Sequence, residues 1–371
     1  MGYFNVPGLA GVELMTIYWI MLIFPTLGLL APIKLNRNLT TLNWLWVSLC
    51  LILIVGLRHE VGGDWENYIT HNSRYVNLKN IDFIEVFSID NLSADIGFLI
   101  IHWFSQNYLY GIYSTNLICA AIFVVGLQRL CRNEPFPWIA LIVSVPYLII
   151  VVSMGYTRQA AALGFIMWGL VSLMSGQKGK FYLSIAFAVL LHKTALVMFI
   201  VGLLSNNYHL KYNNHNKRDY LIFGLMFIFI AINYSKFENM LHFYITNTTM
   251  ESSGAFIRVM VSSIAALVFL SFRKDWKEKY GDYHIWLIFS ILTLIMLPLT
   301  FIISTTIDRI GLYFLPMQVV IFSRIYALIK DNNLMIIYIL SLLILYFSIL
   351  FVWLNYGSYS IYWIPYSNIL F

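Results

Sequence analysis

Charged residues are scarce in this chain of 371 residues: only 11% are Asp, Glu, Lys or Arg, and 60% are hydrophobic. A typical soluble domain is about 25% charged. A soluble chain of this length could not keep so much apolar surface from water, because much of the surface of any folded domain faces solvent. The composition therefore excludes an ordinary soluble protein and indicates a protein that lies in a lipid bilayer.

Several catalytic and metal-binding motifs are also missing. The sequence has no Walker loop, no Gly-x-Ser-x-Gly and no His-Glu-x-x-His. It has no Asp-x-Asp pair of the kind that holds a divalent cation on a nucleotide sugar. Its three cysteines, Cys50, Cys119 and Cys131, lack metal-site spacing and are typical of packing residues. We therefore expect chemistry without a metal ion or another cofactor.

Long apolar runs occupy most of the chain. A helix crosses the hydrocarbon core with roughly 20 apolar residues, and no alternation typical of barrel strands is present. The candidate spans are 14–32, 42–57, 111–128, 136–153, 157–174, 219–233, 255–272, 283–304, 309–328 and 333–354. We predict an all-α, polytopic membrane protein with a single transmembrane domain over residues 1–371. It would contain about 10–12 transmembrane helices plus broken or re-entrant segments.

The net charge of +6 is explained by membrane orientation and does not indicate nucleic-acid binding. Lys and Arg are enriched in cytoplasmic loops. A consistent arrangement puts 15 of the 23 Lys and Arg residues inside, in loops 33–41, 129–135, 175–180, 205–218, 273–282 and 324–333. The segment 58–95 then faces outward, and the run 96–110 dips into the membrane and returns or lies along its surface.

The apolar run 181–204 has an awkward length for a simple membrane span. If both flanking loops are inside, this run enters and returns, with its turn at Leu191-His192-Lys193-Thr194. Non-helical backbone at membrane depth is tolerated where it lines a polar cavity, so the turn predicts a cavity open to the outside. The alternative is a single span that leaves 205–218 outside.

The segment from Gly56 to Tyr68 follows an apolar helix directly. Arg58 offers a planar fork for phosphate, and the glycines at 62 and 63 permit a tight turn that exposes backbone N–H groups to an anion. Asp64 could accept a proton or orient a hydroxyl. The alternative is a solvated loop that anchors the helix end.

Arg158 and Gln159 open an otherwise apolar helix. A cation at a helix start opposes the helix dipole, which favours anions there, so Arg158 is not placed for helix stability. Guanidinium and N-terminal N–H groups can converge on one phosphate. The alternative is snorkelling towards lipid headgroups.

His192 and Lys193 lie within the apolar run 181–204. Such residues are costly in a membrane and usually mark a site or a pathway. A buried histidine can also be a structural hydrogen-bond donor, and that alternative stays open.

The last motif, Thr306 to Phe314, carries Asp308, Arg309 and Tyr313. Arg309, which we predict at a helix start like Arg158, shares a helix face with Tyr313. Asp308 could act there or simply cap a helix. Lesser candidates are Arg258 and Asp95, and the segment Trp363–Tyr366 would be either a lid or a loose tail.

These motifs, taken in order, resemble the EpsG/Wzy-type family of bacterial polysaccharide polymerases over nearly the whole chain. The matching residues are Gly56-Leu57-Arg58, Gly63-Asp64, Tyr68, Asp95-Ile96-Gly97-Phe98, Thr157-Arg158-Gln159, Ala161-Ala162, Leu191 to Ala195, Gly254, Arg258, Asp308-Arg309-Ile310, Tyr313 and Trp363 to Tyr366. Departures are Asp95 in place of Glu, Thr194 in place of Ser, and Trp65 in place of Thr or Tyr.

The resemblance implies a GT-C-like membrane glycosyltransferase that is inverting and metal-independent. It would move a growing glycan from undecaprenyl pyrophosphate onto a repeat unit carried by a second undecaprenyl pyrophosphate, at the periplasmic face of the inner membrane. A separate chain-length regulator would be a partner. On this reading His192, Asp64, Arg158 and Arg309 are catalytic, with His192 or Asp64 as the base. Residues expected to bind substrate or pyrophosphate are Arg58, Lys193, Arg258, Gln159, Tyr313, Tyr68 and Asp308.

Three other functions fit a cationic membrane site. A transporter or flippase for lipid-linked sugars would use similar cations, but the internal repeats common in transporters are not evident here. A ligase that moves finished polymer to a lipid A core, or an O-acetyltransferase with a histidine base, would share parts of the site.

Overall fold

The computed structural model of the protein describes most of the chain. The described residues are 15–31, 36–71, 78, 81–87, 95–205, 224, 252 and 254–370. The predicted span 219–233 and the loop 205–218 lie almost entirely outside these residues. Within the described ranges the structure is helical and contains no β-strand, which confirms the predicted all-α class.

Most of the helices follow the predicted apolar runs. In chain order they are α1 (Thr16–Leu30), α2 (Arg37–Gly56), α3 (Ile96–Tyr108), α4 (Ile112–Asn133), α5 (Pro137–Ser144), α6 (Thr157–Met174), α7 (Lys178–Leu191), α8 (Met198–Leu204), α9 (Ala255–Ser271), α10 (Arg273–Lys279), α11 (Tyr283–Leu299), α12 (Ser304–Gly311), α13 (Pro316–Tyr326) and α14 (Asn332–Tyr356). A π-helical segment, Val145–Ser153, continues α5, and short 3-10 turns join α7 to α8 and α12 to α13.

Three of the described helices, α2, α4 and α14, are long and apolar enough to cross a membrane. Helices α9 and α10 meet the same criterion together, with a 72° bend between them. Only 17% of the apolar window of α14 is buried within the protein, so most of the apolar surface of that helix is exposed. The chain is therefore a polytopic membrane protein, as its composition predicts.

Helices α4 and α6 pack side by side through glycine. A Cβ atom on Gly126 would lie 2.0 Å from the carbonyl oxygen of Gly164, so no larger residue fits without moving the backbone. Further along both helices, the Arg129 guanidinium donates to the hydroxyl of Ser172 at 3.3 Å. The helices therefore run parallel, and their close approach is typical of membrane helices with small residues at the contact.

The segment 178–205 is a helical hairpin, as the loop charges predict. Helix α7 ends at Leu191, His192 is extended, and a 3-10 turn leads into α8. The ends of the hairpin meet, because the Lys178 ammonium group donates to the Ser205 carbonyl at 2.5 Å. The turn at His192 therefore lies at the opposite end of the bundle from Lys178.

The run 96–110 does not dip and return. It forms one helix, α3, which ends in a turn where Gly111 has φ +60°. The first turn of α3 touches the end of α7, since a Cβ on Gly97 would lie 2.9 Å from the Leu190 carbonyl oxygen. Its second turn reaches the start of α4, where the His102 ring bonds the Thr115 hydroxyl at 2.9 Å. Helix α3 therefore lies across the end of α7 and the start of α4, and its depth in the membrane stays a prediction.

A buried ionic cluster joins several segments at the end of the bundle remote from His192. The Arg324 guanidinium donates to Glu134 and to Asp282, each at 2.6 Å. The indole N–H groups of Trp276 and Trp286 also donate to Asp282, at 3.2 and 3.0 Å. These contacts join four separate segments at the end where the predicted cytoplasmic loops meet. Removing one partner of such a pair leaves a buried charge uncompensated.

Candidate active site

Arg58 is buried, with 2% of its surface exposed. Its guanidinium donates to the carbonyls of Val55 at 2.7 Å and Val61 at 3.0 Å, and to the Thr157 hydroxyl at 2.7 Å. The Arg58 guanidinium, which the sequence analysis expects to bind pyrophosphate, therefore bonds acceptors within the protein. The geometry favours a role for Arg58 in fixing the end of α2 to the start of α6.

The loop after Arg58 presses against the chain just before α6. Gly62 has φ +106°, and a Cβ there would lie 1.9 Å from the Met154 carbonyl oxygen, so both conformation and space require glycine. The Gly62 N–H donates to the Tyr362 carbonyl at 2.7 Å, and the Asp64 N–H donates to the Gly155 carbonyl at 3.2 Å. These two N–H groups are used within the protein and are not the open anion-binding groups that the sequence predicted.

The C-terminal segment around Trp363 folds back and packs beside this loop. The Trp363 indole N–H donates to the Ile150 carbonyl at 2.9 Å, and the Tyr18 hydroxyl donates to the Trp363 carbonyl at 2.5 Å. A Cβ on Gly155 would lie 2.3 Å from the Trp363 ring, so the ring fills the space that glycine leaves. Of the two predicted options, the structure excludes a loose tail.

Asp95 lies at the centre of the site. It immediately precedes α3, and one carboxylate oxygen accepts from Arg158 at 2.9 Å and lies 3.1 Å from Nδ1 of His192. Its other oxygen accepts the backbone N–H of Lys193 at 3.2 Å. Burial alone would raise the pKa of Asp95, but His192 and Arg158 hold that pKa below its usual value, so the carboxylate is ionised at neutral pH.

Arg158 connects this carboxylate to the loop after α2. It lies in the first turn of α6, as predicted, and 27% of its side chain is exposed. Its Nε donates to the Tyr68 hydroxyl at 3.1 Å, and that hydroxyl donates to Asp64 at 3.1 Å. One guanidinium thus positions Asp95, Tyr68 and, through Tyr68, Asp64.

A second cationic group lies on α9 and α12. Arg258 forms an ion pair with Asp308, and the Ser252 hydroxyl joins them by donating to Asp308 at 3.1 Å while accepting from Arg258 at 2.7 Å. Helix α12 begins at Ser304, so Asp308 pairs with an arginine and does not cap the helix.

The prediction that Arg309 opens a helix is wrong. The helix that carries Arg309 begins at Ser304, and a 3-10 turn, Leu312–Phe314, follows it before α13 begins at Pro316. Arg309 therefore lies in the last turn of α12 and not at a helix start. Its guanidinium lies over the Tyr156 ring at 5.4 Å from the ring centre.

Two contacts tie the cationic groups together. The Gln159 amide donates to the Arg309 carbonyl at 2.7 Å. The hydroxyls of Thr194 and Tyr313 lie 3.2 Å apart. The heads of α3 and α6, the hairpin turn and the segment around α12 therefore meet at one end of the bundle. No three His, Cys, Asp or Glu residues in the described ranges could together hold a metal ion.

Sequence reasoning underestimated Asp95, which it ranked below the arginines. A carboxylate directly before an apolar helix was the available signal, but its three partners come from distant segments. It also missed the cluster of Glu134, Asp282 and Arg324, whose residues lie in or beside loops that looked like ordinary solvated segments.

Comparison with known proteins gives one family match. The family model described as the EpsG family matches residues 41–368, a range that includes every candidate site residue. No curated protein and no solved structure matches the chain. The matched range covers most of the chain and contains the whole of the arrangement around Asp95, Arg158 and His192, so the chain belongs to the EpsG family.

Proposed function

We propose that this protein is a polysaccharide polymerase that transfers a growing glycan from undecaprenyl pyrophosphate onto a lipid-linked repeat unit. Membership of the EpsG family supports a polysaccharide polymerase in general. The observation that carries the proposal is the position of Arg158, a partly exposed cation in the first turn of α6, beside an ionised carboxylate and a histidine.

The reaction requires fixed positive charge where a diphosphate leaves. Cations held in place before reaction stabilise developing negative charge without the cost of reorganising solvent. Arg158 is held by Asp95 and Tyr68, and Arg309 is held over Tyr156, so both can serve the donor diphosphate. Lys193 follows His192 in the chain, and Arg258 pairs with Asp308. Both are assigned to the lipid diphosphates, with Gln159, Tyr313, Tyr68 and Asp308 as positioning groups.

Transfer is inverting in this scheme. The acceptor hydroxyl attacks the anomeric carbon from the face opposite the diphosphate, in one displacement. A base must take the hydroxyl proton, and Asp64 and His192 are the two candidates that the motifs provide. No step needs a metal ion, because the arginines and Lys193 supply the positive charge.

The active site would face the periplasm, with the protein in the inner membrane. The arginines of the site lie at the end of the bundle opposite the Lys- and Arg-rich loops, which the positive-inside rule assigns to the cytoplasm. The lipid-linked repeat unit would be the substrate and a separate chain-length regulator the protein partner.

The test uses a strain that makes the cognate repeat unit but lacks this protein. Wild type should restore a ladder of polymer on a gel, whereas Arg158→Ala and Arg309→Ala should leave single repeat units. Arg273→Ala is the matched control, since Arg273 is an exposed arginine at the remote end of the bundle. Wild type that leaves the single-unit band unchanged would contradict the polymerase, and lipid A-linked product formed from finished polymer would indicate a ligase.

A further inference from the structure

The two ring nitrogens of His192 have different surroundings. Nδ1 lies 3.1 Å from the Asp95 carboxylate. Nε2 is covered by protein and has no hydrogen-bond partner among the residues that the structure describes. Buried polar atoms in native proteins are nearly always paired, and an exception calls for an explanation.

Asp95 determines which nitrogen carries the proton. An ionised carboxylate can only accept hydrogen bonds, so the nitrogen facing it must be N–H. In a neutral ring the other nitrogen, Nε2, then holds the lone pair. Arg158 and the Lys193 backbone N–H fix the carboxylate in turn, so the ring and its tautomer are set by groups from three segments.

Asp64, the other candidate base, is engaged differently. Its carboxylate accepts the Tyr68 hydroxyl at 3.1 Å, and Tyr68 accepts from Arg158 at 3.1 Å. This chain of hydrogen bonds holds Tyr68 and Arg158 in place. His192, by contrast, presents a basic atom that no described residue engages.

Building on the proposed polymerase function, we propose that His192 is the general base, acting through Nε2, and that Asp95 is its positioning residue. The acceptor hydroxyl passes its proton to Nε2 while its oxygen forms a bond to the anomeric carbon. The bond from that carbon to the diphosphate oxygen breaks, and its electron pair leaves with the lipid diphosphate. Because Nε2 is covered in this structure, side chains above the ring must move to admit the acceptor.

Several charged and titratable groups lie around the Asp95–His192 pair. Asp95 approaches from the head of α3, Arg158 from the head of α6, and Lys193 follows in the chain. Tyr313 reaches the same turn through the Thr194 hydroxyl. The pH dependence of activity reports all of these groups together, so the first test observes the ring nitrogens directly.

The first experiment measures the tautomer by nitrogen NMR of protein in nanodiscs, with ¹⁵N-labelled histidine, at a pH where the ring is neutral. The signal that disappears in His192→Gln identifies the residue. We expect Nδ1 to be protonated and Nε2 bare in wild type and in Asp95→Glu, and this preference to be lost in Asp95→Asn. His284→Gln, at the remote end of the bundle, should retain the His192 signal. A wild-type ring with its proton on Nε2 would overturn the proposal.

The second experiment measures polymer formation in membrane vesicles. The substrate is the lipid-linked repeat unit extracted from a strain that makes it but lacks this protein. His192→Gln should lower kcat about 100-fold or more. Asp95→Asn should lower kcat with little change in KM, Asp95→Glu should recover part of the loss, and His284→Gln should match wild type. Elution of each variant as a folded species on size exclusion excludes general misfolding.

The outcomes distinguish a wrong assignment of the base from a wrong assignment of the function. His192→Gln that keeps more than a tenth of wild-type kcat would overturn the base assignment while leaving the polymerase intact. Wild-type vesicles that form no polymer would contradict the proposed function, and with it the catalytic role of His192. The NMR result on the Asp95–His192 pair would stand in either case.

Discussion

The ion pair between Asp95 and Arg158 joins the N-terminal ends of two helices. The two residues are 63 positions apart in the chain. Asp95 precedes α3, which lies across the helix ends, and Arg158 lies in the first turn of α6, which is packed in the interior. The pair therefore fixes the outer helix to the membrane core of the protein. It also keeps a cation at a helix start, where the helix dipole alone would disfavour it.

Replacing Arg158 with lysine should abolish most activity without unfolding the protein. The guanidinium bonds Asp95 through Nη1 and Tyr68 through Nε at the same time, and a single ammonium group cannot reproduce that fork. We expect polymer formation in vesicles to fall roughly 100-fold. The matched change Arg273→Lys should have no effect, and an Arg158→Lys variant with near wild-type activity would show that only the charge matters.

Trp363 should be essential for the site although it is remote in sequence from the loop after Arg58. Trp363→Ala would open a cavity against Gly155 and remove the hydrogen bond to Ile150, at a cost of about 3–5 kcal/mol. The melting temperature of the purified protein should drop and polymer formation should be lost. Ile361→Ala, at an exposed position of the same tail, is the control and should leave both unchanged.

Arg324 should stabilise the fold without taking part in the chemistry. Arg324→Ala leaves Glu134 and Asp282 buried and uncompensated, at a cost of about 3–5 kcal/mol. Glu134→Gln should cost less, because Asp282 still neutralises the arginine. Melting temperatures should therefore rank wild type above Glu134→Gln and Glu134→Gln above Arg324→Ala. The folded fraction of Glu134→Gln should keep wild-type kcat, and a large loss of kcat at unchanged stability would contradict a purely structural role.

Orientation can be tested with two single cysteines in a chain whose three native cysteines are replaced by alanine. Tyr110 is 85% exposed at the end that carries the site, and Lys277 is exposed at the remote end. Tyr110→Cys should react with a membrane-impermeant maleimide added from the periplasmic side, and Lys277→Cys only after the membrane is disrupted. The reverse pattern would put the site in the cytoplasm.

The fold class and the hairpin at 178–205 could be predicted from the sequence, for a physical reason. Helices in a bilayer need long apolar runs, and their connections must carry the polar residues, so both are visible as composition. The turn at His192 was predictable because the two loops flanking 181–204 both carry positive charge. The start of the apolar run 157–174 put Arg158 correctly at a helix start.

Contacts between distant segments were not predictable in this way. Arg58 looks like an anion-binding residue until its acceptors, Val55, Val61 and Thr157, are known. Arg309 was placed wrongly because the mostly polar residues Ser304–Asp308 look like a connection between two apolar runs, whereas they form the first turns of α12. Asp95 acquires its importance only from partners on α6 and the hairpin.

The proposed function requires this chain to transfer glycan from one lipid diphosphate to another. The most direct measurement combines purified protein, reconstituted in vesicles, with lipid-linked repeat units extracted from a strain that lacks it, and follows polymer and free undecaprenyl pyrophosphate together. We expect one lipid diphosphate to be released for each linkage formed, without added metal ion or nucleotide sugar, and neither product to form with Arg158→Ala. Repeat units that stay single, with no lipid diphosphate released by the folded wild-type protein, would contradict it.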